Sequence, residues 1–141
     1  MAISARNQLQ ATVKNIKTGS VNDVIELTLE GGESLAAVIT SESTQNLGLK
    51  VGSTVFAIFK APSVILSTDN DLMLSARNQL SATVEQITHG AVNAEVVVKT
   101  AAGVEIVAIV TEESAKRLAL TPKASVNVLI KASHILLGVK K

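Results

Sequence analysis

The feature that most constrains this chain is a duplication, because its first half reappears in its second half. The polar hexamer at residues 4–9 returns letter for letter at 75–80, and roughly 24 of about 63 aligned positions are identical without a gap. Buried strands tolerate exchange among Val, Ile and Leu, since volume matters there more than identity. An unchanged polar hexamer therefore indicates a specific role for its side chains, the alternative being a structural turn that needs these residues.

Each repeat of about 65 residues is small for a stable core of its own, so packing between the halves or oligomerisation is expected. The 141 residues are 47% hydrophobic and 18% charged, which is typical of folded soluble domains. A net charge of +1, two Phe and no Trp or Tyr disfavour a nucleic-acid binder, which needs surplus cations and aromatic platforms. We therefore expect no nucleic-acid partner.

The chain contains no cysteine, so disulfides, thiolate metal ligands and thiol nucleophiles are excluded. No apolar run approaches the roughly 18 residues of a membrane helix, and the first residues lack the order of a secretory signal. The sequence therefore predicts a cytoplasmic protein without a membrane partner.

Alternation of apolar and polar residues predicts five short strands in each repeat, with one short helix between the third and the fourth. The first strand begins in the hexamer, and the others span about 22–30, 33–39, 54–60 and 63–66, matched by 93–100, 104–110, 125–131 and 134–137. Thr40 and Thr111 are the predicted N-caps of the helices, with acidic residues in the first turn.

This order of elements predicts an all-β fold with one short helix per repeat, namely tandem OB-like five-stranded Greek-key β-barrels. The polar, turn-rich run after residue 66 predicts the domain boundary. The expected division is a first domain at 1–67, a linker at 68–74 and a second domain at 75–141.

Three polar segments are identical in the two repeats and lie at ends of predicted elements. They are the hexamer, a Thr-x-Glu-Ser helix start and a Lys-Ala pair after the fourth strand. Together they supply an Arg guanidinium, a Lys ammonium, hydroxyl groups and the unpaired N–H groups of a helix start. Two positive charges beside such donors predict a site for a small dianion.

The same segments, with Gly-Ser-Val-Asn or Gly-Ala-Val-Asn between them, resemble the molbindins, small molybdate-binding proteins built from Mop-type (TOBE) domains. The resemblance covers nearly the whole chain and is closest to the two-domain form. It implies a cytoplasmic homotrimer that binds molybdate or tungstate as an intact oxyanion for storage or homeostasis. It implies no cofactor, and no metal site other than molybdenum as molybdate.

Carried over position by position, the resemblance implies an oxyanion site from the hexamer, the helix start and the Lys-Ala pair of both repeats: Ser4, Arg6, Thr40, Ser43, Lys60, Ala61, Ser75, Arg77, Thr111, Ser114, Lys131 and Ala132. Asn22 and Asn93 are candidates for a second kind of anion site. Glu112 replaces Ser41 beside the second site, and we expect it to point outward from an exposed first helical position.

Each of these residues also has a simpler interpretation. Arg6 and Arg77 could form surface ion pairs, Lys60 and Lys131 could protect a strand edge, and the threonines could be N-caps only. The residues Asn7, Gln8, Asn78 and Gln79 could only hold the start of the strand. His89 and His134 occupy non-equivalent positions, which is typical of ordinary surface histidines.

No nucleophile, base and acid spacing and no phosphate loop is visible, so we expect a binding protein and not an enzyme. Two alternatives stay open at this point. One is an oxyanion-sensing module that docks another protein, and the other is an OB-type nucleic-acid binder.

Overall fold

The computed structural model describes residues 2–141, and these residues form ten strands, two short α-helices and two 3₁₀ turns. The helices are α1 (Ser41–Asn46) and α2 (Glu112–Arg117), and the 3₁₀ turns are Ala61–Ser63 and Ala132–His134. The strands are β1 (Asn7–Lys17), β2 (Asn22–Leu29), β3 (Ser34–Thr40), β4 (Thr54–Phe59), β5 (Val64–Ser67), β6 (Asn78–His89), β7 (Asn93–Thr100), β8 (Glu105–Thr111), β9 (Ser125–Ile130) and β10 (Leu136–Gly138).

The predicted order of strand, strand, strand, helix, strand, strand is confirmed in both repeats, and most predicted bounds agree to within one residue. The largest difference is at β10, which begins at Leu136 and not at the predicted 134 because a 3₁₀ turn occupies the preceding residues. Within the described part of the chain, neither helix has the length or the apolar run that crossing a bilayer requires.

Each compact unit of the chain holds one curled, antiparallel, five-stranded sheet. The first unit contains the residues up to Phe59 together with Lys131–Lys141, and its strand order is β10-β4-β1-β2-β3. The second unit is Lys60–Ile130, with the order β5-β9-β6-β7-β8. The predicted fold class of two OB-like domains is therefore confirmed.

The compact units do not coincide with the expected division at 1–67, 68–74 and 75–141, because the last strand of each repeat is exchanged. Strand β5 pairs with β9, with Val64 opposite Ile130, while β10 pairs with β4, with Leu136 opposite Ile58. Periodicity cannot reveal this exchange, since β5 and β10 are equivalent apolar segments and each has the pattern that completes either sheet.

The core of each unit comes from the inward positions of alternating strands. In the first unit Val13, Leu27 and Phe59 are completely or almost completely buried, and Ile135 from the exchanged segment joins them. A β-bulge in β1 between Val13 and Asn15, repeated in β6, increases the local twist. The sheets curl far enough that β3 contacts β10 in the first unit, and β8 contacts β5 in the second.

Candidate functional site

Both helices begin with the hydrogen-bond pattern that the sequence predicts. The Thr40 Oγ1 accepts a hydrogen bond from the Ser43 N–H at 3.1 Å and donates one to the Ser43 Oγ at 2.8 Å. Thr111 and Ser114 repeat the pattern, at 3.1 and 2.9 Å. The N-cap role is thereby confirmed. Because each serine Oγ accepts from its threonine, its own proton stays available for an anion.

Side-chain hydrogen bonds within each hexamer explain part of its identity in the two repeats. The Gln8 Nε2 donates to the carbonyl oxygens of Ile3 and Ala5, at 3.1 and 3.0 Å. Gln79 makes the equivalent bonds in the second repeat, to the carbonyl oxygens of residues 74 and 76. The interpretation that these glutamines hold the start of the strand is confirmed. Ser4 and Arg6, which we expect to bind the anion, are exposed just before β1.

The Lys-Ala pairs start the two 3₁₀ turns. Lys60 and Lys131 are exposed N-terminal flanking residues of these turns, whereas Ala61 and Ala132 are buried. The terminal pair of the β1–β4 ladder is Asn7 with Phe59. Arg6 and Lys60 directly precede and follow this pair in the chain, as Arg77 and Lys131 do for the β6–β9 ladder, whose terminal pair is 78 with 130.

Strand exchange determines which candidate residues share a unit. The first unit contains the hexamer and helix-start residues of the first repeat with the Lys-Ala pair of the second: Ser4, Arg6, Thr40, Ser43, Lys131 and Ala132. The second unit contains the hexamer and helix-start residues of the second repeat with the Lys-Ala pair of the first: Ser75, Arg77, Thr111, Ser114, Lys60 and Ala61. Within the first unit the turn that begins at Ala132 contacts β3, and within the second the turn that begins at Ala61 contacts β8. Each turn is therefore brought beside a strand that leads into an N-cap threonine.

A cleft of about 510 Å³ in the first unit shows which of these groups converge. Its polar lining comprises Asn22, Thr40, Ser43, Asn46, Ser133 and His134, and the rest of the lining is apolar. Ser4, Arg6 and Lys131 do not line this cleft. The structure thus brings the helix start and Asn22 together, while the Arg and Lys of the predicted set lie elsewhere on the unit. Asn93, the counterpart of Asn22, is exposed at the start of β7.

Three of the four predicted cations are not neutralised by carboxylates. Ion pairs among residues 2–141 join Lys17 to Glu26, Lys99 to Glu85 and His89 to Glu112, and Lys60, Arg77 and Lys131 take part in none. Within residues 2–141 the structure therefore gives Arg77 no salt-bridge partner. Exposed cations without a counter-charge leave a positive potential that attracts anions.

Glu112 does not have the exposure that its first helical position predicts. Its side chain is only 15% exposed, and its carboxylate accepts hydrogen bonds from the His89 Nδ1 at 2.9 Å and from the Gly90 N–H at 2.9 Å. These bonds, chiefly the one from His89, hold the pKa of Glu112 below its usual value. His89 is therefore a partner of this carboxylate as well as a surface residue, which the unequal histidines of the two repeats could have signalled.

The first repeat has a carboxylate at the same turn, delivered from another element. Asp23 on β2 is buried and accepts hydrogen bonds from the Gly19 N–H at 3.1 Å and from the Ser41 Oγ at 2.7 Å. Hydrogen bonds from Ser41, Thr44 and Gly19, in that order, lower the pKa of Asp23. The repeated motifs do not single out Asp23, although its replacement by Ala94 in the second repeat is a visible signal.

Among the described residues there is no cluster of three or more His, Cys, Asp or Glu side chains that could hold a metal ion. The cleft of the first unit is instead lined by hydroxyl and amide groups, and the predicted Arg and Lys residues lie exposed outside it. Such groups bind anions by hydrogen bonds and charge.

The chain belongs to the TOBE-domain family, since the TOBE domain model matches residues 3–66 and again residues 74–137. Over 139 residues it is 40% identical to the molybdenum-pterin-binding protein MopA of Rhodobacter capsulatus, covering 98% of this chain and 52% of that protein. It is 39% identical to the molybdenum transport protein ModE of Azotobacter vinelandii, covering 99% of this chain and again 52% of the relative. The chain thus spans about half the length of these curated relatives.

A solved structure matches the whole length of the chain. It is that of the cytoplasmic molybdate-binding protein ModG with molybdate bound, with 48% identity and a TM-score of 0.96. The match covers 99% of this chain and 100% of the other.

Proposed function

We propose that this protein binds molybdate, and also tungstate, as the intact tetrahedral oxyanion, for molybdenum storage and homeostasis in the cytoplasm. The observation that carries the proposal is the likeness, over 99% of the chain, to a cytoplasmic protein solved with molybdate bound. The site geometry supports it, because the helix starts, the exposed cations and the 3₁₀ turns offer donors and positive charge.

The proposed oxyanion ligands are the hydroxyl groups of Ser4, Thr40 and Ser43, the side chains of Arg6 and Lys60 and the backbone at Ala61, with their counterparts in the second repeat. Charge-assisted hydrogen bonds contribute about 1.5–3 kcal/mol each. Five or six of them, less several kcal/mol for immobilising the ion, correspond to dissociation constants of roughly micromolar or tighter.

Selectivity follows from a pocket of donors. Monohydrogen phosphate carries an O–H that finds no acceptor there and leaves groups unpaired, which disfavours its binding. Sulfate has the charge and shape of molybdate, so the pocket must reject it by size. No bond from a protein atom to molybdenum is required, and we propose binding without catalysis.

We also propose that the working assembly is a homotrimer. The support is the exposure of Ser4, Arg6 and Lys60 in a single chain, since neighbouring subunits would enclose an oxyanion at these positions. Asn22 and Asn93 are the proposed ligands of a second kind of site in the assembly. Sedimentation velocity tests this proposal, and a monomer at micromolar concentration with molybdate present would contradict it.

A second candidate function is an oxyanion-sensing module, which the match to half of the longer ModE favours. In that case molybdate changes the affinity of this chain for another protein segment, and binding of the anion alone does not distinguish the two functions.

Calorimetric titration with molybdate, tungstate, sulfate and single-stranded DNA tests the main proposal. We expect saturable heat with molybdate and tungstate and none with sulfate or DNA. Saturable heat with DNA and none with molybdate would overturn the proposal.

A further inference from the structure

The two repeats support equivalent turns with carboxylates from different elements. In the first repeat Asp23 on β2 bonds to the Gly19 N–H and reaches the first residue of α1, Ser41. In the second repeat that first helical residue is itself the carboxylate, Glu112, and the β2 position is occupied by Ala94. One carboxylate per turn is kept, although both positions have changed.

We propose that Glu112 and His89 are positioning residues of the second repeat's oxyanion site, where Glu112 replaces Asp23 and His89 holds its carboxylate in place. This inference rests on the proposed function. Neither residue needs to touch the anion. Both act through the turn before β7 and through the start of α2.

The contacts show how the pair would position the site. Glu112 joins two segments, because its N–H donates to the Val92 carbonyl oxygen at 2.8 Å while its carboxylate accepts from the Gly90 N–H. The turn between these contacts leads into Asn93, and the helix start supplies Thr111 and Ser114. Loss of the carboxylate would leave the backbone bond to Val92 but remove the bond to the Gly90 N–H, so the turn would be held less firmly against the helix start.

The surroundings of Glu112 favour its charged form. The hydrogen bond from His89, the one from the Gly90 N–H and the nearby Lys116 together hold the pKa of Glu112 below its usual value. The carboxylate therefore stays ionised at neutral pH and remains an acceptor that ties the turn to the start of α2.

The test compares molybdate titrations of the full chain with those of variants copied from the other repeat. We expect Glu112→Ser to lose about fivefold or more in affinity at one class of site, which corresponds to the loss of about one ordinary hydrogen bond. Adding Ala94→Asp to Glu112→Ser rebuilds the first repeat's arrangement, and we expect affinity within about twofold of wild type.

His89→Thr carries the residue of the first repeat, and we expect it to weaken the same class of site by about threefold or more, because Glu112 then loses one of its partners. Lys14→Ala is the control, since Lys14 is exposed and lies outside the proposed site, and it should bind as wild type. The inference is overturned if Glu112→Ser or His89→Thr binds as wild type, or if the rebuilt double variant folds but does not recover affinity. Absence of saturable molybdate binding in the wild type would instead refute the proposed function.

Discussion

Truncation of Ile135 to alanine tests the strand exchange most directly. Ile135 belongs to the second repeat in sequence, but it lies in the first compact unit and is only 3% exposed. If the exchange is correct, the substitution opens a cavity in the core built from β1 to β4. If each repeat were its own domain, the same cavity would lie in the core built from β6 to β9.

The expected magnitude follows from the burial of the side chain. Truncation of a buried Ile to Ala costs about 2–5 kcal/mol, which combines lost transfer free energy with the cavity left behind. Domains are stable by about 5–15 kcal/mol, so the free energy of opening the first unit falls by a large fraction. Leu136 is 67% exposed and serves as the control, since its truncation should change stability by no more than about 0.5 kcal/mol.

Native-state amide hydrogen exchange, resolved by residue in the full chain, measures this effect. We expect amides of β1 to β4 to lose protection in Ile135→Ala, while those of β6 to β9 keep most of theirs. The reciprocal variant Val64→Ala should weaken the second unit, because Val64 is 2% exposed and lies in that unit. Loss of protection confined to β6–β9 in Ile135→Ala would refute the reasoning.

Three further predictions concern the site and the backbone. Arg77→Ala and Lys60→Ala should each weaken molybdate binding at least about tenfold at the affected sites, as measured by calorimetry. Lys14 is an exposed residue in the β-bulge, and the control variant Lys14→Ala should bind as wild type. Wild-type isotherms for the first two variants would argue against the proposed ligands. Ala119 has a φ of 52° where the first repeat has Gly48. Ala119→Gly should therefore raise the free energy of unfolding by about 0.5–1 kcal/mol and Gly48→Ala should lower it by a similar amount, and both changes are measured as shifts of the thermal midpoint. The pKa of Asp23 is lowered in the folded protein, so its ionised carboxylate contributes stability that is fully present above the unfolded pKa of 3.8 and is lost as pH falls through the folded pKa. Asp23→Asn should therefore make stability depend less on pH in acid unfolding monitored by circular dichroism. An unchanged acid transition would contradict this.

Much of the fold could be predicted because it depends on local patterns. The alternation around Leu9 and Val13 determines strand faces, and Thr40 and Thr111 are N-caps by their own side-chain chemistry. Exchange of the last strand could not be predicted, because pairing of β10 with β4 depends on tertiary contacts between segments that are far apart in sequence. Strands β5 and β10 have equivalent patterns of apolar and polar residues, so periodicity does not indicate whether β4 pairs with one or with the other.

The candidate site shows the same limit. Identity between repeats indicated Ser43 and Lys60 but not Asp23, because a residue that acts in only one repeat leaves no repeated signal. The orientation of Glu112 was missed because an exposed first helical position is only a general tendency. A nearby Gly90 N–H and an imidazole at 2.9 Å outweigh that tendency.

Strand exchange also gives a physical reason why the proposed ligands are identical in the two repeats while their supports differ. Each unit combines a helix start from one repeat with a Lys-Ala pair from the other, so a change in a Lys-Ala pair alters the unit that is formed mainly by the other repeat. Asp23, Ser41 and their counterparts Ala94 and Glu112 lie within one unit each, so one substitution can compensate another there. Supports can therefore diverge in pairs within one unit, as Glu112 with Ala94 has done, whereas each Lys-Ala pair must fit a helix start of the other repeat.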